Sequence, residues 1–319
     1  MTPNETVTGT EAQREEILTR LTRFRRQPEQ ALKLSETHPA LYFRTLDAVV
    51  RTLDDRAVFD LGVELARERF AALGLASLLP MDRVFVGVVS TVPAHGGFNY
   101  PLHPYPPGYR YVQAAAVITR YGDLHGTTTP APGLTALDLV RAYAHDCLHY
   151  GTFRSYRLGT TGIHRSQHGI NFRREDGRTY SARDATGSAS TRNLGVIMEG
   201  AIDREATAPA RATAAAAKVA CPPGGIDLYA FRDCIGNGIP APEDKNPWLA
   251  SMNGYARSVT TPYAGFLAEI AGPDEHELHD LIIRATLDGN LEPLQRWLEG
   301  RYGPGEFTAL FRSSAYAPA

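Results

Sequence analysis

The sequence is nearly devoid of lysine and carries no excess of either charge. Lys33, Lys218 and Lys245 are the three lysines among 33 basic residues, a bias that we attribute to genome composition. The basic residues are balanced by 35 acidic ones, and the net charge is -2. Without a surplus of positive charge, the sequence predicts no binding to nucleic acid or to an anionic membrane.

Cysteines and long apolar runs are also scarce. The three cysteines, Cys147, Cys221 and Cys234, are too few for a disulfide framework, so we expect free thiols. The sequence contains no run of about 18 apolar residues, so it predicts no membrane-spanning helix. The first residues, MTPNETVTGTEAQREE, have neither the basic nor the apolar segment of a signal peptide. Together these absences predict a cytoplasmic protein.

The remaining composition, 43% hydrophobic and 21% charged, is that of a globular protein with a sizeable core. Helical spacing of apolar residues alternates with strand-like stretches in a pattern typical of an α+β fold. Helices are predicted at 11–36, 41–73, 135–153, 191–207 and through most of 254–312, strands at 82–89 and 111–121, and a hairpin at 164–187. We divide the chain into a helical N-terminal region, residues 1–78, and a second domain, residues 79–319, that contains the predicted strands.

The motif HDCLH, residues 145–149, lies within the predicted helix 135–153. On a helix, His145 and His149 lie on one face with Cβ atoms roughly 5–6 Å apart. Two imidazoles at that spacing can bind one metal ion, as in the zinc motif H-E-x-x-H, where the acidic residue is the general base. The sequence therefore predicts a metal site, with Asp146 in the position of the base.

A third ligand is expected from another element, and the segment MEGAID, residues 198–203, offers one. Glu199 lies in an apolar context on a predicted helix, where a carboxylate needs a buried partner. Asp203 follows one turn later and can accept the second ring N–H of a ligand histidine, which fixes the orientation of the ring. A surface pair between Glu199 and Arg204 is the alternative for the glutamate.

HDCLH followed by MEGAID resembles the gluzincin metallopeptidases, which carry H-E-x-x-H on one helix and E-x-x-x-D on the next. The resemblance implies a zincin-like core with a small mixed sheet and two metal-binding helices. It also implies that His145, His149 and Glu199 bind Zn²⁺, that Asp146 is the general base and that Asp203 orients a ligand. The chain departs from the family by placing aspartate at the base position, which shortens the side chain by one methylene group.

These observations predict a zinc-dependent hydrolase that acts on a peptide or a small amide. Three alternatives stay open. Because Asp146 is short, the same scaffold can serve non-hydrolytic chemistry on a small molecule, such as cyclisation, elimination or rearrangement. Two histidines and a carboxylate also form the ligand set of non-haem Fe²⁺ enzymes. A catalytically inactive metal-binding protein is the third alternative. The substrate and the oligomeric state are not predicted.

Other polar residues are weaker candidates for a site. His164 and His168 flank the predicted hairpin, where one of them can polarise a substrate carbonyl or simply pack as a loop histidine. A phenol can stabilise an oxyanion, and the candidates for this role are Tyr229, Tyr255 and Tyr263. His276 and His279 lie in the acidic segment GPDEHELHD and are expected to be exposed.

Overall fold

The computed structural model of the 319-residue chain describes residues 4–25, 41–89, 110–112, 131–160, 162–176, 178–181, 183–185, 187–237 and 253–311. Within these ranges no helix is both long enough and apolar enough to cross a lipid bilayer. Helices and strands are both present, which supports the α+β class. The predicted strand at 111–121 lies largely outside the described residues.

Ten α-helices are present in the described part of the chain. They are α1 (Glu11–Arg25), α2 (Leu46–Val50), α3 (Arg56–Ala72), α4 (Leu134–Gly151), α5 (Leu194–Ala216), α6 (Gly225–Cys234), α7 (Thr261–Ile270), α8 (Glu275–Asp288), α9 (Glu292–Tyr302) and α10 (Glu306–Leu310). Short 3₁₀ turns lie at Met81–Arg83 and Gly272–Asp274, and a π-helical turn at Ala256–Thr260 leads into α7.

The strands form two small sheets. One sheet has the order β1 (Glu5–Val7), β5 (Arg154–Gly159), β6 (Gly162–His168), β7 (Asn171–Phe172). Its β1 and β5 are parallel, and its other pairs are antiparallel. The other sheet has the order β2 (Leu41–Thr45), β3 (Val84–Val89), β4 (Arg110–Val112).

A single large core joins helices α2–α5 and α7–α10. In α4 the apolar residues Leu137, Val140, Ala144 and Leu148 recur every three or four positions and are all buried, as helical spacing requires. Helix α5 packs against α4, and α3 contacts both of them. Residues of α3 therefore share one core with residues 136–311, and the division of the chain at residue 78 stays a prediction.

The segment LYFRT, residues 41–45, is strand β2 and not the start of a helix as predicted. It pairs antiparallel with β3 along its whole length, from Leu41 opposite Val89 to Thr45 opposite Phe85. Aromatic and β-branched residues favour a strand once a partner is available. The pairing partner is about 40 positions away in the chain, so helical spacing within the segment is misleading here.

The hairpin predicted at 164–187 is present, but its turn differs. Strands β6 and β7 are joined at Gly169 and Ile170, where Gly169 has a φ of +55°, a left-handed conformation that favours glycine. The chain reverses a second time between Arg174 and Arg178, the predicted turn, where the Arg174 N–H donates to the Arg178 carbonyl at 2.8 Å. Strand β5, which precedes β6, was not predicted.

Candidate metal centre

Helix α4 presents His145 and His149 one turn apart, and their ring centroids are 4.6 Å from each other. The His149 side chain is buried, while His145 is partly exposed. Just after the helix, the Arg154 guanidinium donates hydrogen bonds to the carbonyls of His149 and Tyr150. These carbonyls have no partner within the helix. Arg154 therefore stabilises the end of α4 that carries the histidines.

Helix α5 brings Glu199 to the same point. Its Oε1 lies 3.3 Å from Nε2 of His145, and its Oε2 lies 3.2 Å from Nε2 of His149. One ligand atom from each of the three residues lies within 4.8 Å of the others. The structure thus brings together the three residues predicted as ligands. Asn193 fixes the start of α5 by accepting hydrogen bonds from the N–H groups of Gly195 and Val196.

The three donors fit a tetrahedral divalent ion. Two donors at about 2.0–2.2 Å from one tetrahedral ion lie roughly 3.3 Å apart, which is close to the two imidazole–carboxylate distances. Two nitrogens and one oxygen suit zinc with one open coordination position. The same set suits non-haem Fe²⁺. The donor chemistry therefore fits a metal without distinguishing between these two ions.

The charges at the centre favour a bound cation. Burial alone raises the pKa of the Glu199 carboxyl, but the charge of His149 and hydrogen bonds from both rings outweigh it, and the pKa lies well below its usual range. Burial lowers the pKa of His145, but the hydrogen bond and charge of Glu199 have the larger effect and raise it. Glu199 is thus an ionised carboxylate, the form that binds a metal.

Asp146 is buried on α4 beside His145. It does not belong to the group of three ligand atoms. Its negative charge is one of the causes that raise the pKa of His145, so it contributes to the electrostatics of the centre. Its role as a general base stays a prediction.

Asp203, one turn beyond Glu199 on α5, has other partners than the one expected. Among the described residues its carboxylate accepts hydrogen bonds from Arg141 and from the Thr260 hydroxyl, the latter at 3.4 Å, and none from the two ligand rings. Arg141 also lies 3.7 Å from Asp233. The partly buried guanidinium is a stronger partner than a neutral ring N–H. The structure therefore gives Asp203 a place behind the centre, on Arg141 rather than on a histidine.

Tyr255 contacts the centre directly. Its hydroxyl donates a hydrogen bond of 3.2 Å to Oε1 of Glu199. Burial, followed by the charges of Asp203 and Glu199, raises the pKa of this phenol well above its usual range, which keeps it a proton donor. Of the three tyrosines considered, Tyr263 instead pairs with His279. The sequence alone offers no spacing rule that distinguishes Tyr255 from the others.

His168, at the end of β6, is the second polar residue that the structure adds. Its ring stacks on that of His149 with centroids 6.4 Å apart and an interplanar angle of 25°. It is 5% exposed.

The alternative interpretation of Glu199, a surface pair with Arg204, is wrong because Arg204 pairs with Glu275. His279, expected to be exposed, is 3% exposed and buried among helices.

Comparison with protein-family models, with curated proteins and with solved structures finds no match to this chain. The resemblance to gluzincins therefore depends on the motif residues alone.

Proposed function

We propose that the protein is a zinc-dependent hydrolase that acts on a peptide or a small amide, on a zincin-like arrangement of α4 and α5. The observation that carries this proposal is the convergence of His145, His149 and Glu199. Glu199 lies on a different helix from the two histidines, 50 or more positions further along the chain, yet its carboxylate oxygens lie 3.2–3.3 Å from their Nε2 atoms. A cytoplasmic location, with three free cysteines, belongs to the same proposal.

Each residue at the centre has a role in this proposal. A zinc ion held there would supply Lewis-acid chemistry, polarising the amide carbonyl and making water acidic near pH 7. Asp146 accepts the proton of the attacking water and passes it to the leaving amine. Tyr255 holds the Glu199 carboxylate in position. Arg141 pairs with Asp203 behind the centre, and the charge of Asp203 is one of the causes that raise the pKa of His145.

The second candidate is non-hydrolytic chemistry on the same centre, such as cyclisation, elimination or rearrangement of a small molecule. The observation that favours it is Asp146, which is one methylene group shorter than the glutamate of the zinc motif. A shorter acid is set back from the open position by on the order of 1 Å, a displacement that can cost about 100-fold in rate. Fe²⁺ in place of zinc is the corresponding alternative for the metal.

Metal content tests the centre. We expect the purified protein to hold about one zinc per chain by elemental analysis, and His145→Ala and His149→Ala to lose it, because each removes one of three protein ligands. His276→Ala is the matched control, since its side chain is 76% exposed. Iron in place of zinc would support the alternative metal, and zinc retained in both ligand variants would exclude the site.

A peptide and amide library then tests the reaction. Asp146→Ala is expected to keep its zinc and to lose hydrolysis by about 100-fold or more, because general-base catalysis contributes roughly 10²–10⁴. Asp60→Ala, at an exposed carboxylate on α3, is the control and is expected to keep full activity. If Asp146→Ala left every activity intact while zinc stayed bound, the hydrolase proposal would be wrong.

A further inference from the structure

One face of the four-stranded sheet borders the metal centre. Arg154 lies opposite His168, which in turn lies opposite Asn171. Residues directly opposite each other in antiparallel strands point to the same face. The Arg173 N–H donates to the Ser166 carbonyl at 2.9 Å, so Arg173 lies opposite Ser166. Since alternate residues of a strand share a face, Arg173 is on the same side as His168.

His168 lacks the partners that a buried imidazole normally has. Neither of its ring nitrogens has a hydrogen-bond partner in the described part of the chain, and the residue is 95% buried. Buried polar atoms in folded proteins are paired in the large majority of cases, because an unpaired one costs about 1–3 kcal/mol. A buried, unpaired ring beside a metal centre indicates a ligand that completes its hydrogen bonds.

Arg173 is a half-buried cation with no carboxylate partner among the described residues. No salt bridge or side-chain hydrogen bond joins it to another described residue, and its buried Nε has no partner. Burial lowers the pKa of its guanidinium. The neighbouring Arg154 is engaged with the helix carbonyls of α4. The described residues therefore leave the positive charge of Arg173 unpaired on this face, where a bound anion would neutralise it. The buried Glu5 lies farther along the sheet, opposite Arg154.

We infer that His168 and Arg173 form a subsite for a carboxylate of the substrate, adjacent to the metal centre. The inference rests on the proposed function, because it names the substrate class of that site: amides that carry a carboxylate near the scissile bond, such as N-acyl amino acids and the C-terminal ends of peptides. The Arg173 guanidinium donates to the carboxylate oxygens, as its fork geometry favours. The His168 ring donates one further hydrogen bond.

The distances agree with a carboxylate on the residue that follows the cleaved bond. The rings of His168 and His149 are 6.4 Å apart. One residue of extended chain spans at most about 3.3–3.6 Å. A carbonyl at the metal and a carboxylate at His168 are therefore separated by roughly one to two residues, as at the C-terminal end of a peptide.

Binding of succinate tests the subsite without requiring catalysis. Succinate has one carboxylate for the zinc and one for the subsite, whereas succinamate replaces one carboxylate with a neutral amide. For the zinc-loaded protein we expect succinate to bind about tenfold more tightly by calorimetry, because a charge-assisted bond is roughly twice as strong as a neutral one. Arg173→Gln should abolish this preference, and Arg173→Lys should restore part of it. Arg178→Gln, a variant of an arginine 79% exposed, is the control and should keep it.

His168→Gln tests the second member of the subsite. It keeps a polar side chain but moves the donor, and we expect succinate to lose several-fold in affinity while zinc content is unchanged. Equal affinities for succinate and succinamate, or a preference that survives Arg173→Gln, would overturn the subsite. Zinc measured on the same samples separates the two proposals: bound zinc without a preference overturns the subsite alone, whereas absence of zinc overturns the metal centre on which it rests.

Discussion

At the scale of single residues, the hydroxyl of Tyr255 holds the ligand carboxylate. It donates to the same oxygen of Glu199 that faces His145. Partners that orient a metal ligand typically contribute 10–100-fold to metal affinity, because a ligand held in place loses less freedom on binding. Tyr255 is therefore part of the centre although it is not itself a predicted ligand.

Tyr255→Phe removes this hydrogen bond and keeps the ring. We expect the zinc affinity, measured by competition with a chelator, to fall about 10–100-fold. Tyr302→Phe is the matched control, because the Tyr302 hydroxyl donates to the Ile270 carbonyl in the tail of the chain. An affinity equal to that of the unaltered protein would show that Glu199 is positioned by α5 alone.

Sequence predicts the site residues that a single helix places, but not those that contacts between distant segments bring to the site. The pair His145 and His149 follows from helical periodicity alone, and Glu199 follows from its apolar neighbours on both sides in the segment LGVIMEGAI. Tyr255 and His168 reach the centre through contacts between distant segments, with 56 positions between Tyr255 and Glu199. With 15 tyrosines and 10 histidines in the chain, no local pattern selects these two.

At the scale of elements, the position of the metal centre depends on how closely α5 approaches α7. Gly200, directly after the ligand Glu199, faces Tyr263 of α7. A Cβ at Gly200 would lie 2.4 Å from the Tyr263 Cβ, far inside van der Waals contact. The missing side chain lets the two helices pack closely and thereby sets the position of Glu199.

Gly200→Ala should therefore destabilise the protein although alanine favours helices. Overpacking a core costs about 1–3 kcal/mol, which outweighs the roughly 0.5–1 kcal/mol that alanine gains over glycine within a helix. Urea unfolding measures the difference. Gly300→Ala in α9 is the control, because a Cβ there meets nothing within 4 Å, and it should be neutral or stabilising. Equal stability changes in the two variants would contradict close packing at Gly200.

The helices and the strand whose own sequences have a clear apolar pattern were predicted. The strands that form only by pairing with another strand were not. Helices α4 and α5 have long apolar faces, and strand β3 is a run of β-branched and aromatic residues. In contrast, β2 becomes a strand because β3 pairs with it. Strand β5 lies between β1 and β6, and its sequence RSYRLG has little apolar alternation. Their conformation is decided by partners elsewhere in the chain.

At the scale of the whole molecule, a chain of polar contacts that is buried except at its Arg69 end joins four helices. Arg69 of α3 donates two hydrogen bonds to the Glu205 carboxylate of α5, at 2.5 and 3.0 Å. On the other side, Nε2 of His279 lies 3.3 Å from Glu205, and Nδ1 of His279 lies 2.8 Å from the Tyr263 hydroxyl. The acidic neighbours of His279 suggested an exposed residue, because sequence does not show that its face of α8 is turned toward α5.

Glu205→Gln tests what this chain contributes to stability. Hydrogen bonds to a charged group are worth about 1.5–3 kcal/mol, so we expect a loss of that order in the free energy of unfolding near pH 7. Glu64→Gln is the control, since Glu64 is 62% exposed and pairs on the surface with Arg67. Exposed pairs contribute about 0–1 kcal/mol, and the control should change little.

The pH dependence of this difference identifies the carboxylate as its source. Burial raises the pKa of Glu205, but hydrogen bonds from His279 and Arg69 have the larger combined effect and lower it below its ordinary value of 4.5. The unfolded chain then binds more protons than the folded one at acid pH, so the contribution of Glu205 is complete above about pH 4.5 and is lost as pH falls through the lowered pKa. The stability gap between the unaltered protein and Glu205→Gln should therefore be constant from neutral pH to about pH 5 and shrink below it. A gap that does not change down to the acid transition would mean that packing, and not the charge of Glu205, holds these four helices together.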